Sequence, residues 1–310
     1  MIVTSLAIGI GCGGGSSKSP MPDAPDIGFD HPKAVLQANM ETGTDAYTPL
    51  GSADLSCLGT PGSDVASTVP ITVDAVVTDF QTGSANPGIA VTAFAGIAIG
   101  SAFGSAVVSD GSGNVAIGVP AGNTRVGFLM HDPNPNDPSS IAPFDTYLLN
   151  QYFAPGSAVQ TLPEDMGDMQ SVAKSTGEEL PAFVGVTRTA GTGVVAGAVR
   201  DCQDNEISNF VVTLSSTSGT ATPIAGPLAF YFSAGVGVPA HHDQEDAASA
   251  DGLFMIIQIP ATTTTAYVQA WGYLSDADLA ADKLTLVSEL EVPVVADSVI
   301  TGSFEPLRTQ

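Results

Sequence analysis

Residues 73–83 read VDAVVTDFQTG and residues 195–205 read VAGAVRDCQDN. Set one over the other, Val77 falls on Val199, Asp79 on Asp201 and Gln81 on Gln203, an offset of 122 (201 − 79). The first stretch carries apolar residues at every second position and runs into a polar turn, the pattern of a strand buried on one face. A second match follows: AIGVPAG (116–122) falls on IIQIPAT (256–262), and Pro120 on Pro260, at an offset of 140 (260 − 120). In each copy it comes shortly after an Asp-Gly turn, Asp110-Gly111 or Asp251-Gly252. Order is kept as well as composition, so the chain is expected to be an internal repeat. The growth in offset places a longer insert in the second copy, around residues 217–250.

Outward from the first copy, further short strands alternate. Ile71, Val73, Ala75 and Val77 share one face of ITVDAVVTD, and Ile89 and Val91 one face of IAVTAF. Val115, Ile117 and Val119 repeat the pattern, as do Val126, Phe128 and Met130. Turns rich in Gly, Pro, Asn and Asp separate them, and no long helical pattern intervenes, which reads as a β-sandwich. HDPNPNDPSS (131–140) is expected to be a loop because its prolines forbid regular structure. PFDTYLLNQYF offers aromatics and leucines expected to pack back on the first sandwich. LPEDMGDMQSVAKSTGEEL reads as the helical stretch, starting near Pro163, ending at Gly177 and breaking again at Pro181. The expected fold is therefore all-β: two tandem Ig/transthyretin-like β-sandwiches over 51–161 and 191–310. A partly helical connection over 162–190 joins them, and a disordered tether over 12–50 precedes them.

A strand, a "D…TG" turn, a strand, then a "DG" turn and a strand ending in "PAG" resembles the carboxypeptidase regulatory-like domain, a transthyretin-like β-sandwich. The matching residues are Asp79, Gly83, Val91, Asp110, Gly111, Pro120 and Gly122 in the first copy. In the second they are Gly197, Val199, Asp201, Asp251, Gly252 and Pro260. Ala75 and Thr262 stand where the pattern has glycine. The resemblance implies a structural or ligand-contacting module on a secreted protein. It transfers no catalytic residues, because such domains share none.

Charged residues make up 13% of the 310-residue chain, with 8 Lys+Arg against 32 Asp+Glu and a formal net charge of −24. That charge repels phosphate backbones, so nucleic acid is not an expected partner. The start, MIVTSLAIGIGCGGGSSKSPMPDAPD, joins an uncharged apolar run to Cys12 and then to a tract that cannot bury apolar surface. It resembles a bacterial lipoprotein signal over 1–11, cut before a cysteine that receives lipid. Gly11 supplies the small residue at the cut, Gly9 departs from the usual Leu, Val or Ile, and the missing basic start points to a signal that begins upstream of Met1. The bland reading is a frayed apolar terminus with an incidental thiol. No other apolar stretch approaches the length of a membrane-spanning helix. The layout as a whole resembles bacterial surface lipoproteins carrying tandem copies of this domain.

If Cys12 carries lipid, Cys57 and Cys202 are left as an even pair, and in an oxidising compartment they are expected to bond. Two separate thiols are the other reading. His241, His242 and Asp243 form the sharpest metal-like cluster, in HHDQED (241–246), although adjacent histidines on a strand point opposite ways. A solvated acidic loop explains the same residues. HDPNPND lacks the glycine and the closing glutamate of a calcium loop. The turn bearing Asp201, Gln203, Asn205 and Glu206 is a similarly weak candidate. No nucleophile elbow, zinc-protease motif or phosphate-binding loop occurs, and no cofactor is expected. Tyr267, Trp271 and Tyr273 share a strand face if alternation holds. Exposed, they suit stacking on sugar rings; buried, they fill the core.

These observations lead to an expectation of a non-enzymatic, lipid-anchored extracytoplasmic protein at the outer membrane or surface of a bacterium, with a structural or binding role. Its expected partners are the membrane, through lipid on Cys12, and a surface protein or polysaccharide. Two rivals remain: a carbohydrate- or peptide-binding accessory module using Tyr267, Trp271 and Tyr273, and a metal-dependent hydrolase using the His241/His242 loop.

Overall fold

The computed structural model describes residues 31–43, 46–134, 144–162, 169–263 and 265–309. A hairpin comes first, β1 (Gln37–Gly43) and β2 (Ala46–Ser52). The first copy then supplies β3 (Ile71–Asp79), β4 (Ala90–Ala95), β5 (Val107–Val108), β6 (Asn114–Val119), β7 (Arg125–His131), β8 (Asp145–Tyr152) and β9 (Val159–Thr161). The connection holds β10 (Met169–Ser171) and α1 (Lys174–Phe183). The second copy begins with β11 (Thr192–Ala198), β12 (Glu206–Ser208), β13 (Val211–Ser215), β14 (Leu228–Ser233) and β15 (Val238–Pro239). It closes with β16 (Leu253–Pro260), β17 (Thr265–Gly272), α2 (Asp276–Ala280), β18 (Thr285–Pro293) and β19 (Ser298–Gly302).

The repeat is real at the level of strand pairing. β3 pairs antiparallel with β6 and parallel with β9, and β11 pairs antiparallel with β16 and parallel with β19. Facing sheets β4-β7-β8 and β13-β17-β18 run antiparallel in the same order. The equivalence extends to single atoms. The Val77 N–H donates to Gly113 O at 2.8 Å, and the Val199 N–H donates to Gly252 O at 3.1 Å. Both glycines have positive φ, +79° and +63°, and a Cβ on either would press on the carbonyl of its valine partner. Gly252 therefore corresponds to Gly113, not to Gly111 as the Asp-Gly match suggests. The offset there is 139 (252 − 113) and reaches 140 at Pro260 because β16 takes one extra residue. Pairing slips between Gly193 and Val195, beside Gln258 at φ 61°.

The two sandwiches are fused. β19 pairs in parallel with β11 of its own copy and with β8 of the first, in register from Ser298↔Asp145 to Gly302↔Leu149. One nine-stranded sheet results, in the order β15-β14-β16-β11-β19-β8-β7-β4-β5. Its outermost strands have two residues each, which blunts both edges against further pairing. Side chains alternate across this sheet. Leu148, Phe128 and Met130 face the first copy's core with Val73, Val77 and Ile117. Tyr147 and Leu149, also from β8, face the other way and enter the second copy's core with Phe254, Ile300 and Phe304. The PFDTYLLNQYF segment therefore serves both sandwiches rather than the first alone.

On the second copy's outer face, Phe144, Val172, Val184 and Val186 cover Phe230, Met255, Ile257 and Val299. The connection is thus a third layer. Its helix starts at Lys174 rather than near Pro163; residues 163–168 lie outside the described residues. It also runs through Gly177 instead of ending there. A Cβ on Gly177 would sit 2.4 Å from Phe144 Cε2, so this glycine admits an aromatic ring against the helix. The 217–250 insert contributes β14 and β15 to the long sheet.

The tether also ends earlier than expected. Residues 37–43 and 46–52 form β1 and β2, and β1 pairs with β12. Leu36 and Ala38 are buried, and the Leu36 N–H donates to Tyr273 O at 3.0 Å. Edge pairing and one buried leucine hold this polar segment, so its sequence carries no amphipathic signal.

Candidate functional site

Cys57 and Cys202 are bonded, with Cα atoms 5.9 Å apart. Backbone contacts bring them together. The Asp54 N–H donates to Asp201 Oδ2 at 3.0 Å, and the Cys202 N–H donates to Asp54 O at 2.8 Å. Asp201 Oδ1 accepts from the Gln203 and Asn205 N–H groups at 2.9 and 3.0 Å. Asp110 does the same for Ser112 and Asn114 in the first copy, at 2.8 and 2.9 Å. Asp201 with Gln203 and Asn205 is therefore a self-bonded turn that orients Cys202. A second clamp lies nearby: Arg125 of β7 reaches Glu305 through two bonds of 2.9 and 3.0 Å, and Asp64 at 2.5 Å. This forked pairing holds the C-terminal segment against the first copy.

The three candidate contact aromatics do not form an open platform. Tyr273 is buried, and Tyr267 and Trp271 are half-buried, with Trp271 packed against the second core. Tyr267 and Trp271 share one face of β17, whose pairing with β13 runs unbroken from Ser215↔Tyr267 to Val211↔Trp271, while Tyr273 lies just past the end of the strand. The Tyr273 hydroxyl donates to Asp282 Oδ1 at 2.5 Å, and His31 Nδ1 lies 2.6 Å from the same oxygen. These bonds hold the Asp282 carboxyl below its usual range. Burial first, and then Asp282, push the Tyr273 phenol up to about 12. A raised phenol favours the neutral form, so its contribution to stability is intact below the ordinary value near 10 and is lost as pH rises through about 12. In an absorbance titration of the six tyrosines, Tyr273→Phe is expected to remove the component that ionises last. An unchanged high-pH limb would contradict this environment.

The His242 ring turns onto β14. Its Nε2 donates to Ala229 O at 2.6 Å, and its ring packs 5.3 Å from Phe230. The His241 carbonyl accepts the Gln244 and Glu245 N–H groups, so HHDQED is a folded turn on β14. Among the described residues, no three His, Cys, Asp or Glu side chains converge in a way that could hold an ion. Asp132 accepts the Asn134 N–H at 2.7 Å, and residues 135–143 of the HDPNPND segment and beyond lie outside the described residues. Cys12 lies outside them too.

A feature the sequence does not announce is a groove of about 390 Å³ across the shared sheet. Its floor is Ala196 and Ala198 of β11 and Thr301 and Ser303 at the end of β19, all half-exposed. Small side chains on the two central strands leave this space. One wall is Phe80, Val172 and Leu180, and the other is Glu41 and Tyr47 of the hairpin. Arg200 lies at the second wall, 3.4 Å from Asp204 and 3.3 Å from Glu206. Burial pushes the Glu206 carboxyl above its ordinary value, Arg200 draws it down, and Glu41 and Asp204 push it further up. The available signal is the small outward pair Ala196 and Ala198 between the inward Val195 and Val199, but it becomes a site only once β19 lies beside β11.

No known family matches the chain, and no curated protein matches it. Among solved structures, the shaft pilin SpaA of Lactobacillus rhamnosus GG aligns at 10% identity over 79% of this chain and 100% of its own, with a TM-score of 0.21. BcpA, the major pilin subunit of Bacillus cereus, aligns at 9% over 74% and 69%, with a TM-score of 0.22. The Bacillus anthracis TIE protein aligns at 9% over 76% and 33%, with a TM-score of 0.23. Scores this low carry no functional argument, and the fold described above rests on strand pairing alone.

Proposed function

We propose that the chain is a non-enzymatic, extracytoplasmic scaffold of the bacterial surface, held to a membrane by lipid on Cys12. The observation that carries this reading is the Cys57–Cys202 bond. It ties the segment before β3 to the first turn of the second copy, and bonds of this kind persist in oxidising compartments. With that pair consumed, Cys12 is the cysteine left for another role, and it follows directly on an apolar run. A low content of charged side chains and two sandwiches fused through one sheet suit a rigid spacer or display element. In cells fed labelled fatty acid, the full-length precursor is expected to incorporate label, and Cys12→Ser is expected to abolish it. Label retained in the variant contradicts the anchor.

A further inference from the structure

We infer that the free edge of β6 pairs with β6 of a second molecule of this chain, joining their first-copy sheets into one antiparallel sheet across a two-fold axis. This goes beyond the scaffold reading, and nothing in it depends on Cys12.

The internal repeat shows what belongs at this edge. In the second copy, β16 has β11 on one side and β14 on the other, with Met255 opposite Phe230 and Ile257 opposite Leu228. The first-copy equivalents are Ala116 (255 − 139) and Gly118 (257 − 139). There β6 pairs with β3 alone and ends its sheet among the described residues. The bond from the Val77 N–H to Gly113 O fixes the phase of that pairing. Val115, Ile117 and Val119 bond to β3, so the N–H and C=O groups of Ala116 and Gly118 point out of the edge. Both residues are exposed, and nothing lies within 4 Å of where a Cβ on Gly118 would stand.

The other sheet edges are guarded. β5, β9, β10, β12 and β15 have two or three residues each, and β2 carries Pro49. β13 has its Val212 N–H on the Tyr231 hydroxyl at 2.9 Å. β18 carries Glu289 and Glu291, and its Val287 O accepts the Leu307 N–H at 2.7 Å. β6 reads NVAIGV and has no charge, no proline and no break in register. An edge of that kind invites pairing with another strand. It is also complementary to itself. In antiparallel pairing centred on Ile117, Ala116 of one molecule lies opposite Gly118 of the other, and each such pair exchanges two hydrogen bonds. Charge does not forbid the approach. Asp74, beside Ala116 on β3, stands about three strand spacings, roughly 15 Å, from its symmetry mate, beyond the screening length at physiological salt. A contact confined to one edge is small, so the association is weak and concentration-dependent.

Sedimentation of the whole folded chain at physiological salt is expected to show monomer and dimer in equilibrium between micromolar and millimolar protein. Amide exchange at Ala116 and Gly118 is expected to slow as dimer forms, while Val115 and Ile117, already bonded to β3, stay unchanged. Gly118→Pro removes one outward N–H and leaves the bonds to β3, since an edge strand tolerates proline on its open side. It is expected to be monomeric with unchanged Trp271 emission. If it does not fold, Ala116→Glu serves instead, because its side chain enters solvent and sets a carboxylate on each side of the seam. Cys12→Ser is expected to dimerise like wild type, which separates this inference from the anchor. A wild-type chain that stays monomeric throughout overturns the inference. So does a dimer that persists in either folded edge variant, or one in which the Ala116 and Gly118 amides still exchange freely.

Discussion

Cys202→Ser is expected to lower the stability of the folded chain by up to about 5 kcal/mol, the loop-closure figure for a separation of 145 residues. Nearly half the chain lies inside this loop, including the whole first copy, so the bond restricts an unusually large part of the unfolded ensemble. The Asp54 N–H can still donate to Asp201, and the backbone N–H of residue 202 to the Asp54 carbonyl, in the variant. It should therefore fold to the same arrangement with a lower denaturant midpoint, and reduced wild-type protein should match it. Wild type should also migrate differently on reducing and non-reducing gels, and the variant should not. A midpoint unmoved by reduction would contradict the bond.

Ile300→Asp should have the larger consequence, and it should be felt in both copies. Ile300 is 1% exposed and lies in the second core, on the strand whose backbone pairs with both Val195 and Tyr147. An unpaired carboxylate there costs several kcal/mol by desolvation, in addition to the lost packing. That is comparable with the whole stability of an ordinary domain. Because β8 pairs with β19 and sends Tyr147 and Leu149 into the same core, the first copy should lose protection along β3 and β6 together with the second. The gentler Ile300→Val should cost about 1 kcal/mol and lower both copies by the same amount. Hydrogen exchange resolved by segment distinguishes this from a chain of independent modules, in which only the second copy would respond.

These contrasts also explain what the sequence can and cannot disclose. β3 and β6 are readable because each buries one face and leaves the other outward, so Val73 and Ile117 recur at period two; β7 keeps the same period at Phe128 and Met130, although Gly127 and Leu129 on its other face are covered as well. β8 buries both faces, and YLLNQYF shows no alternation from which its two destinations could be assigned. β1 carries almost no apolar residues, and pairing with β12 holds it, a backbone property with no side-chain signature. β19 is five residues long, and nothing in SVITG indicates that it has a neighbour on each side. Cys57 and Cys202 could be paired from their number, whereas the groove depends on which strands lie beside Ala196 and Ala198. For Tyr267, Trp271 and Tyr273 alternation alone leaves open whether they are core or surface; burial is decided by what packs over them, and Tyr273 is buried with its hydroxyl on Asp282 while the other two are half-buried.

The fusion of the two copies through β19 is tested most directly by denaturant unfolding of the reduced protein, with the disulfide removed as a link. Trp271, the single tryptophan, reports the second copy by fluorescence, and hydrogen exchange along residues 71–79 reports the first. One shared midpoint for the two probes is the predicted result. Two separate transitions, with residues 71–79 still protected after Trp271 has become exposed or the reverse, would contradict a shared sheet as the structural unit.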